Sequence, residues 1–375
     1  MRRKRRAAVR SATAVLLLAG LLSAPDSAVM AQSTGGEGDL VAARVAELLE
    51  IVTATDAQSD AAAAALEAVQ ADTALSVSAR EQVMHDFALQ LRAEAESAAG
   101  RGALEALTAY QSRFLVQFEG RGPAIVPKWR VAGVARGTLT LWDRAAAAAG
   151  AQQQLAAGTM DLAGRIAKAE RADDTAALAQ AFAAAPPEQL RAQRGQLLAM
   201  VERNDALAPA AAEAALRLQD AELAAAVLAS GDRRTATRLI AGIGEAMPAE
   251  KAFPILRDAS RDEALASAAI LEIGRSAAGT LTAARSFLLE SLADPRTGAS
   301  AAAALAALEG DDMVAEVAAE LRASDDETLQ SKAVLMLALD GSPRARESLR
   351  AFALRRDVSE QLRQDVLTWL REGTE

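Results

Sequence analysis

Residues Phe287 to Gly310 read FLLESLADPRTGASAAAALAALEG, and this stretch decides the fold. A short amphipathic run ends at Leu292, Asp294-Pro295 follows, and an alanine-rich run stops at Gly310. Asp caps a helix start by accepting from free N–H groups, Pro fits the first helical position, and Gly fits the stop. The same separation of 16 residues recurs at Asp258–Gly274, Asp325–Gly341 and Asp357–Gly373, and the Asp positions advance by 36, 31 and 32. Leu256, Leu321 and Leu354 close the run before Asp in those units. One helix pair every 31 to 36 residues is the period of an α-solenoid.

Composition points the same way. Half of the 375 residues (51%) are hydrophobic, yet 3% are aromatic and there is no Cys. Alanine makes the difference, in runs such as Ala61–Ala65, Ala145–Ala149 and Ala301–Ala304. Alanine has the best helix propensity but buries little area, so such a chain favours many closely packed helices over one thick core. Period-two runs of β-branched and aromatic residues are scarce, which argues against a substantial sheet.

The spacing, the Asp-Pro turn and the alanine-rich second helix resemble the HEAT-repeat family, with residues 287–310 as the best match. That family's Arg six residues after the Asp is present as Arg238 after Asp232 and as Arg363 after Asp357. Ala264, Ser300 and Ser331 stand there in the other units, so the repeats are degenerate. The resemblance covers about half the chain, Glu188 to Glu375, with fainter pairs from Gly158 to Ala185. It implies a scaffold whose inner helices present a binding surface, and it names no ligand. The expected fold is therefore all-α: a HEAT-like solenoid over residues 158–375, preceded by a helical N-terminal domain over residues 40–150.

In that N-terminal domain, Ser78-Ala-Arg-Glu81 reads as a capping box opening a long helix through Phe87 and Leu91, which ends at Gly100–Gly102. A further helix runs through Leu104, Leu107, Tyr110 and Phe114. Two glycines and two prolines between Glu119 and Pro127 then break the pattern. The strips Phe114–Phe118 and Ile125–Val126 read as a short hairpin or as a loop, and helix resumes near Val131.

The first 31 residues read as a secretory signal peptide. Arg2, Arg3, Lys4, Arg5, Arg6 and Arg10 precede an apolar stretch, Ala12 to Ala24, and Val29-Met30-Ala31 offers small residues for cleavage near Ala31-Gln32. Residues 32–39, QSTGGEGD, read as a flexible linker. Cleavage takes away six basic residues and one acidic residue, so the net charge falls from −9 to −14. A surface this acidic argues against general nucleic-acid binding. The expected location is periplasmic or secreted, with a mature chain that does not span a membrane.

Chemistry is thinly represented. His85 is the single histidine, beside Asp86 on a predicted helix, and no Gly-x-Ser-x-Gly elbow or phosphate loop appears. Gly242-Ile-Gly244 begins like a dinucleotide fingerprint, but Met247 replaces the third glycine. The acidic pairs at Asp173, Asp311 and Asp325 lack calcium-loop spacing and read as helix caps. No catalytic, metal or cofactor residue is assigned.

One segment departs from the average. Between Thr108 and Gly150 stand Arg113, Arg121, Lys128, Arg130, Arg136 and Arg144 against Glu119 and Asp143, a local charge of +4, with five of the eleven aromatic residues. Arg and aromatic side chains anchor protein interfaces. Tyr110, Arg113, Arg121, Lys128, Trp129, Arg130 and Arg136 are therefore the candidate partner-binding residues, suited to an acidic or extended polypeptide. In the competing reading, Trp142 and Phe114 fill a local core while the arginines pair with the acidic repeats. The expected function is that of an exported, non-catalytic scaffold or adaptor for another protein, with a carboxylate-dependent hydrolase of an envelope polymer as the alternative. A tetratricopeptide-like receptor is disfavoured, because its Trp…Leu-Gly…Tyr pattern is missing.

Overall fold

The structure, a computed structural model, describes residues 35–54, 59–120, 122–168, 172–308 and 311–372. Residues 1–31, read above as a signal peptide, and Arg121, Gly310 and Gly373 lie outside these residues. The fold is all-α apart from one two-stranded hairpin. In chain order it comprises α1 (Gly35–Thr53), α2 (Ser59–Ala71), α3 (Val77–Gln90), α4 (Ala98–Thr108), β1 (Leu115–Gly120), β2 (Gly122–Pro127) and α5 (Val131–Ala156). There follow α6 (Leu162–Lys168), α7 (Ala172–Ala184), α8 (Pro187–Val201), α9 (Ala208–Leu218), α10 (Ala221–Ala229), α11 (Arg233–Ala246) and α12 (Ala249–Ala259). The last are α13 (Ala266–Arg275), α14 (Thr282–Ser291), α15 (Gly298–Ala307), α16 (Asp311–Ala323), α17 (Glu327–Asp340), α18 (Pro343–Ala353) and α19 (Glu360–Glu372).

The chain divides into two compact units between Leu139 and Thr140, inside α5, earlier than the break expected near residues 150–158. The reason lies in which core each half of α5 serves. Thr138 Oγ1 donates to the Ala88 carbonyl of α3 (2.9 Å) and Arg136 to the Thr108 carbonyl that ends α4 (3.0 Å), whereas Ala151 and Leu155 belong to the core of the second unit. In the first unit, α1 packs on α2 and α3, and α2 on α4.

Three local readings are corrected there. Gly35 to Asp39, read as linker, form the first turn of α1, where Glu37 accepts from the Ser76 N–H (3.0 Å) and ties that end down. Ser76, not Ser78, caps α3, so Glu81 has no capping box to complete. The helix ends at Gln90, and Gly100 and Gly102 lie inside α4. Ser97 starts α4 by accepting from the Gly100 N–H (3.0 Å) while donating to the Val52 carbonyl (2.8 Å).

In the second unit most helices from α7 onward touch a neighbour one place along, two places along, or both. The odd-numbered helices α7 to α19 form a continuous series of contacts, α8–α10–α12 form a second row, and α16 packs on α18. No strand occurs among the described residues of this unit. Alanine permits close rows: five alanines of α9 (Ala208, Ala210, Ala211, Ala214 and Ala215) have no solvent exposure.

The repeat markers keep their spacing but not always their expected role. Asp232 and Asp326 cap α11 and α17, and Gly341, at φ +63°, ends α17 in the left-handed conformation that glycine favours. Asp258, however, sits inside α12, while Asp294 and Asp357 lie in the turns before α15 and α19. There Asp294 accepts from the Arg296 N–H (2.8 Å), and Asp357 pairs with Arg355. Asp325 yields the cap to its neighbour Asp326. Gly274 lies within α13 rather than after it. A Cβ there would sit 2.5 Å from Ala304 Cα, so it marks a close approach of α13 and α15, not a helix stop.

Candidate functional site

The basic aromatic segment forms the hairpin and its base. β1 and β2 pair antiparallel, with Leu115 opposite Pro127, Gln117 opposite Ile125 and Gly120 opposite Gly122. Leu115 and Gln117 on β1 and Ile125 and Pro127 on β2 are exposed, Ile125 at 74%.

The base of this hairpin is fixed by a residue that the sequence reading assigned elsewhere. Glu81 of α3 is fully buried, and its Oε1 accepts from the backbone N–H of Arg113 and of Phe114 (3.1 Å) and from the Tyr110 hydroxyl (3.4 Å). One carboxylate oxygen thus holds the chain where it turns into β1. Burial, then the charge of Glu81, pushes the Tyr110 phenol above its ordinary value, so it stays a donor at neutral pH. Sequence spacing from Ser78 made Glu81 look like a capping partner, and nothing local signals its long-range contact.

Trp129 stands on the other side of the base and is half-buried. Its Nε1 donates to Ser78 Oγ (3.2 Å), its carbonyl accepts from Ser112 Oγ (2.8 Å), and its ring lies 5.3 Å from the His85 ring. His85 Nδ1 is 2.9 Å from Asp86 Oδ1. Lys128 Nζ lies 5.5 Å from the Phe114 ring centroid and 5.1 Å from that of Trp129, within cation–π range, while remaining exposed. Arg113 and Arg130 are exposed as well.

The structure therefore gathers Tyr110, Arg113, Lys128, Trp129 and Arg130 around the hairpin base. Arg136 is engaged differently, as the C-terminal cap of α4. Trp142 is buried as a core residue, whereas Phe114 is only half-buried. Among the described residues no group of three or more His, Asp or Glu side chains converges as metal ligands do, and no helix is long and apolar enough to cross a membrane. No protein-family model matches the chain, and no curated protein matches it significantly.

Proposed function

We propose that the protein is an exported, non-catalytic scaffold or adaptor that binds a polypeptide partner, built from a HEAT-like α-solenoid and a helical N-terminal domain carrying the contact surface. The observation that carries this reading is the patch at the hairpin base. Three exposed cations stand beside the half-buried rings of Phe114 and Trp129, Lys128 within cation–π range of both and Arg113 and Arg130 adjacent to them in the chain, whose overall charge is −9. Interfaces concentrate binding energy in such arginine and aromatic groups. The solenoid part is supported by the continuous series of contacts along the odd-numbered helices α7 to α19. Export is supported by the leader-like residues 1–31.

The test is a pull-down from envelope extract with the chain lacking residues 1–31, repeated with Trp129→Ala and Arg130→Glu. Trp129→Ala should weaken capture by about 2 kcal/mol. Because the ring is half-buried, its truncation should cost less folding stability than the roughly 3–5 kcal/mol of a fully buried aromatic. Arg130→Glu should mainly slow association and leave the melting midpoint unchanged. Capture that is indifferent to both substitutions would remove this patch from the function.

A further inference from the structure

The two edges of the hairpin are not equivalent. Lys128 N–H donates to the Phe114 carbonyl (3.1 Å), while the Phe114 N–H goes to Glu81, so with the observed register the ladder bonds fall at the pairs 114/128, 116/126, 118/124 and 120/122. Residues 115, 117 and 119 of β1, and 123, 125 and 127 of β2, then direct their backbone groups outward. On β2 two of those three outward positions are Pro123 and Pro127, which have no N–H to offer. That edge is closed to strand pairing. On β1 the outward positions are Leu115, Gln117 and Glu119, each with both a donor and an acceptor. Among the described residues no other strand pairs with that edge.

A free edge on one side and a proline-blocked edge on the other is how a sheet admits one added strand and refuses a second. The geometry points to β1 as a docking edge for an extended acidic segment of a partner polypeptide, paired strand to strand along Leu115, Gln117 and Glu119. Charge selects the occupant. Arg113 enters β1 while Lys128 and Arg130 leave β2, so the base of the hairpin is basic within a local charge of +4. Exposed Leu115 gives the added strand an apolar neighbour on one face.

This rests on the proposed polypeptide-binding role and specifies its mode. Arrays of octapeptides alternating Glu or Asp with Val, Ile or Thr are offered to the full chain, beside arrays with Lys in place of the acids. The acidic arrays should bind, and the lysine arrays should not. Gln117→Pro removes one outward N–H without touching a bond between β1 and β2, and should weaken binding at least about tenfold. N-methylating alternate amides of the best peptide should do the same on the unaltered protein, which covers the case of a variant that folds poorly. No binding by the acidic arrays, equal binding by the lysine arrays, or indifference to both backbone blocks would overturn the proposal. So would a dimer in sedimentation that Gln117→Pro dissolves, since the occupant would then be a second copy. If envelope capture depends on Arg130 while the arrays fail, only the strand mode is lost.

Discussion

Asp220 shows how much a single side chain does between two helices. Its Oδ1 accepts from the N–H groups of Glu222 and Leu223 (both 3.1 Å) and so caps α10, while its carboxylate also takes two hydrogen bonds from Arg194 of α8. The Arg194 guanidinium, more than the capping bonds, holds this carboxyl below the usual aspartate range. An acid with a lowered folded-state pKa stabilises fully above its unfolded value, and the gain fades as pH falls through the folded value. Asp220→Ala should therefore cost about 1–2 kcal/mol near neutral pH, the usual loss for a capping side chain. The gap between variant and parent should shrink as pH drops from 7 toward 3. Urea midpoints at several pH values measure this, and a gap independent of pH would count against the charged cap. The pairing joins residues 26 apart, so no local pattern announces it.

At the scale of elements, the helix ends share one device. Cations and amides from neighbouring helices and turns donate to the orphan carbonyls of C-termini: Arg217 to Ala185 (3.1 Å), Gln219 Nε2 to Ala246 (2.8 Å), Arg355 to Leu321 (2.9 Å) and Arg363 to Ala353 (3.2 Å). Each satisfies a carbonyl that the helix cannot, and the arginines also oppose its negative end. Arg363 is the position that carried the repeat resemblance. Helix-to-helix distance is set elsewhere, by glycine and alanine. Gly274→Ala would drive a methyl into the Ala304 backbone and force α13 from α15, at a cost of about 1–3 kcal/mol or more. Gly195→Ala in α8 meets nothing within 4 Å and should stabilise by up to about 1 kcal/mol. Thermal or urea unfolding of the two variants distinguishes them, and equal effects would contradict the close approach of α13 and α15.

For the whole molecule, residues 1–31 and the acidic remainder bear on where it works. A basic run, a 13-residue apolar stretch and Val29-Met30-Ala31 lead to the expectation that the mature chain begins near Gln32 outside the cytoplasm. N-terminal sequencing of protein from fractionated cells checks this, and intact Met1 in the cytosolic fraction would overturn it. The chain carries a net charge of −9, and −14 without residues 1–31, so residues 108–150 are a basic segment on an acidic chain. Attraction of an acidic partner should accordingly be screened by salt, the Debye length falling from about 10 Å at 0.1 M to about 3 Å at 1 M.

The all-helical class, the helical run after Val131 and the gathering of charge and aromatics before it are properties of local sequence. Propensity, apolar period and breakers act within a few residues, so they can be read directly. Tertiary structure decided what depends on distant partners. Glu81 left its apparent capping role because the backbone at Arg113 and Phe114 offered it two buried donors. Gly274 became a contact because α15 came close enough to leave no room for a Cβ. Trp129 became half-buried because Ser78 and His85, some 50 residues away in the chain, fold against it. The prolines at 123 and 127 were visible as breakers, but only the register with β1 made them the guards of one edge, since pairing is a relation between two segments and neither encodes it alone.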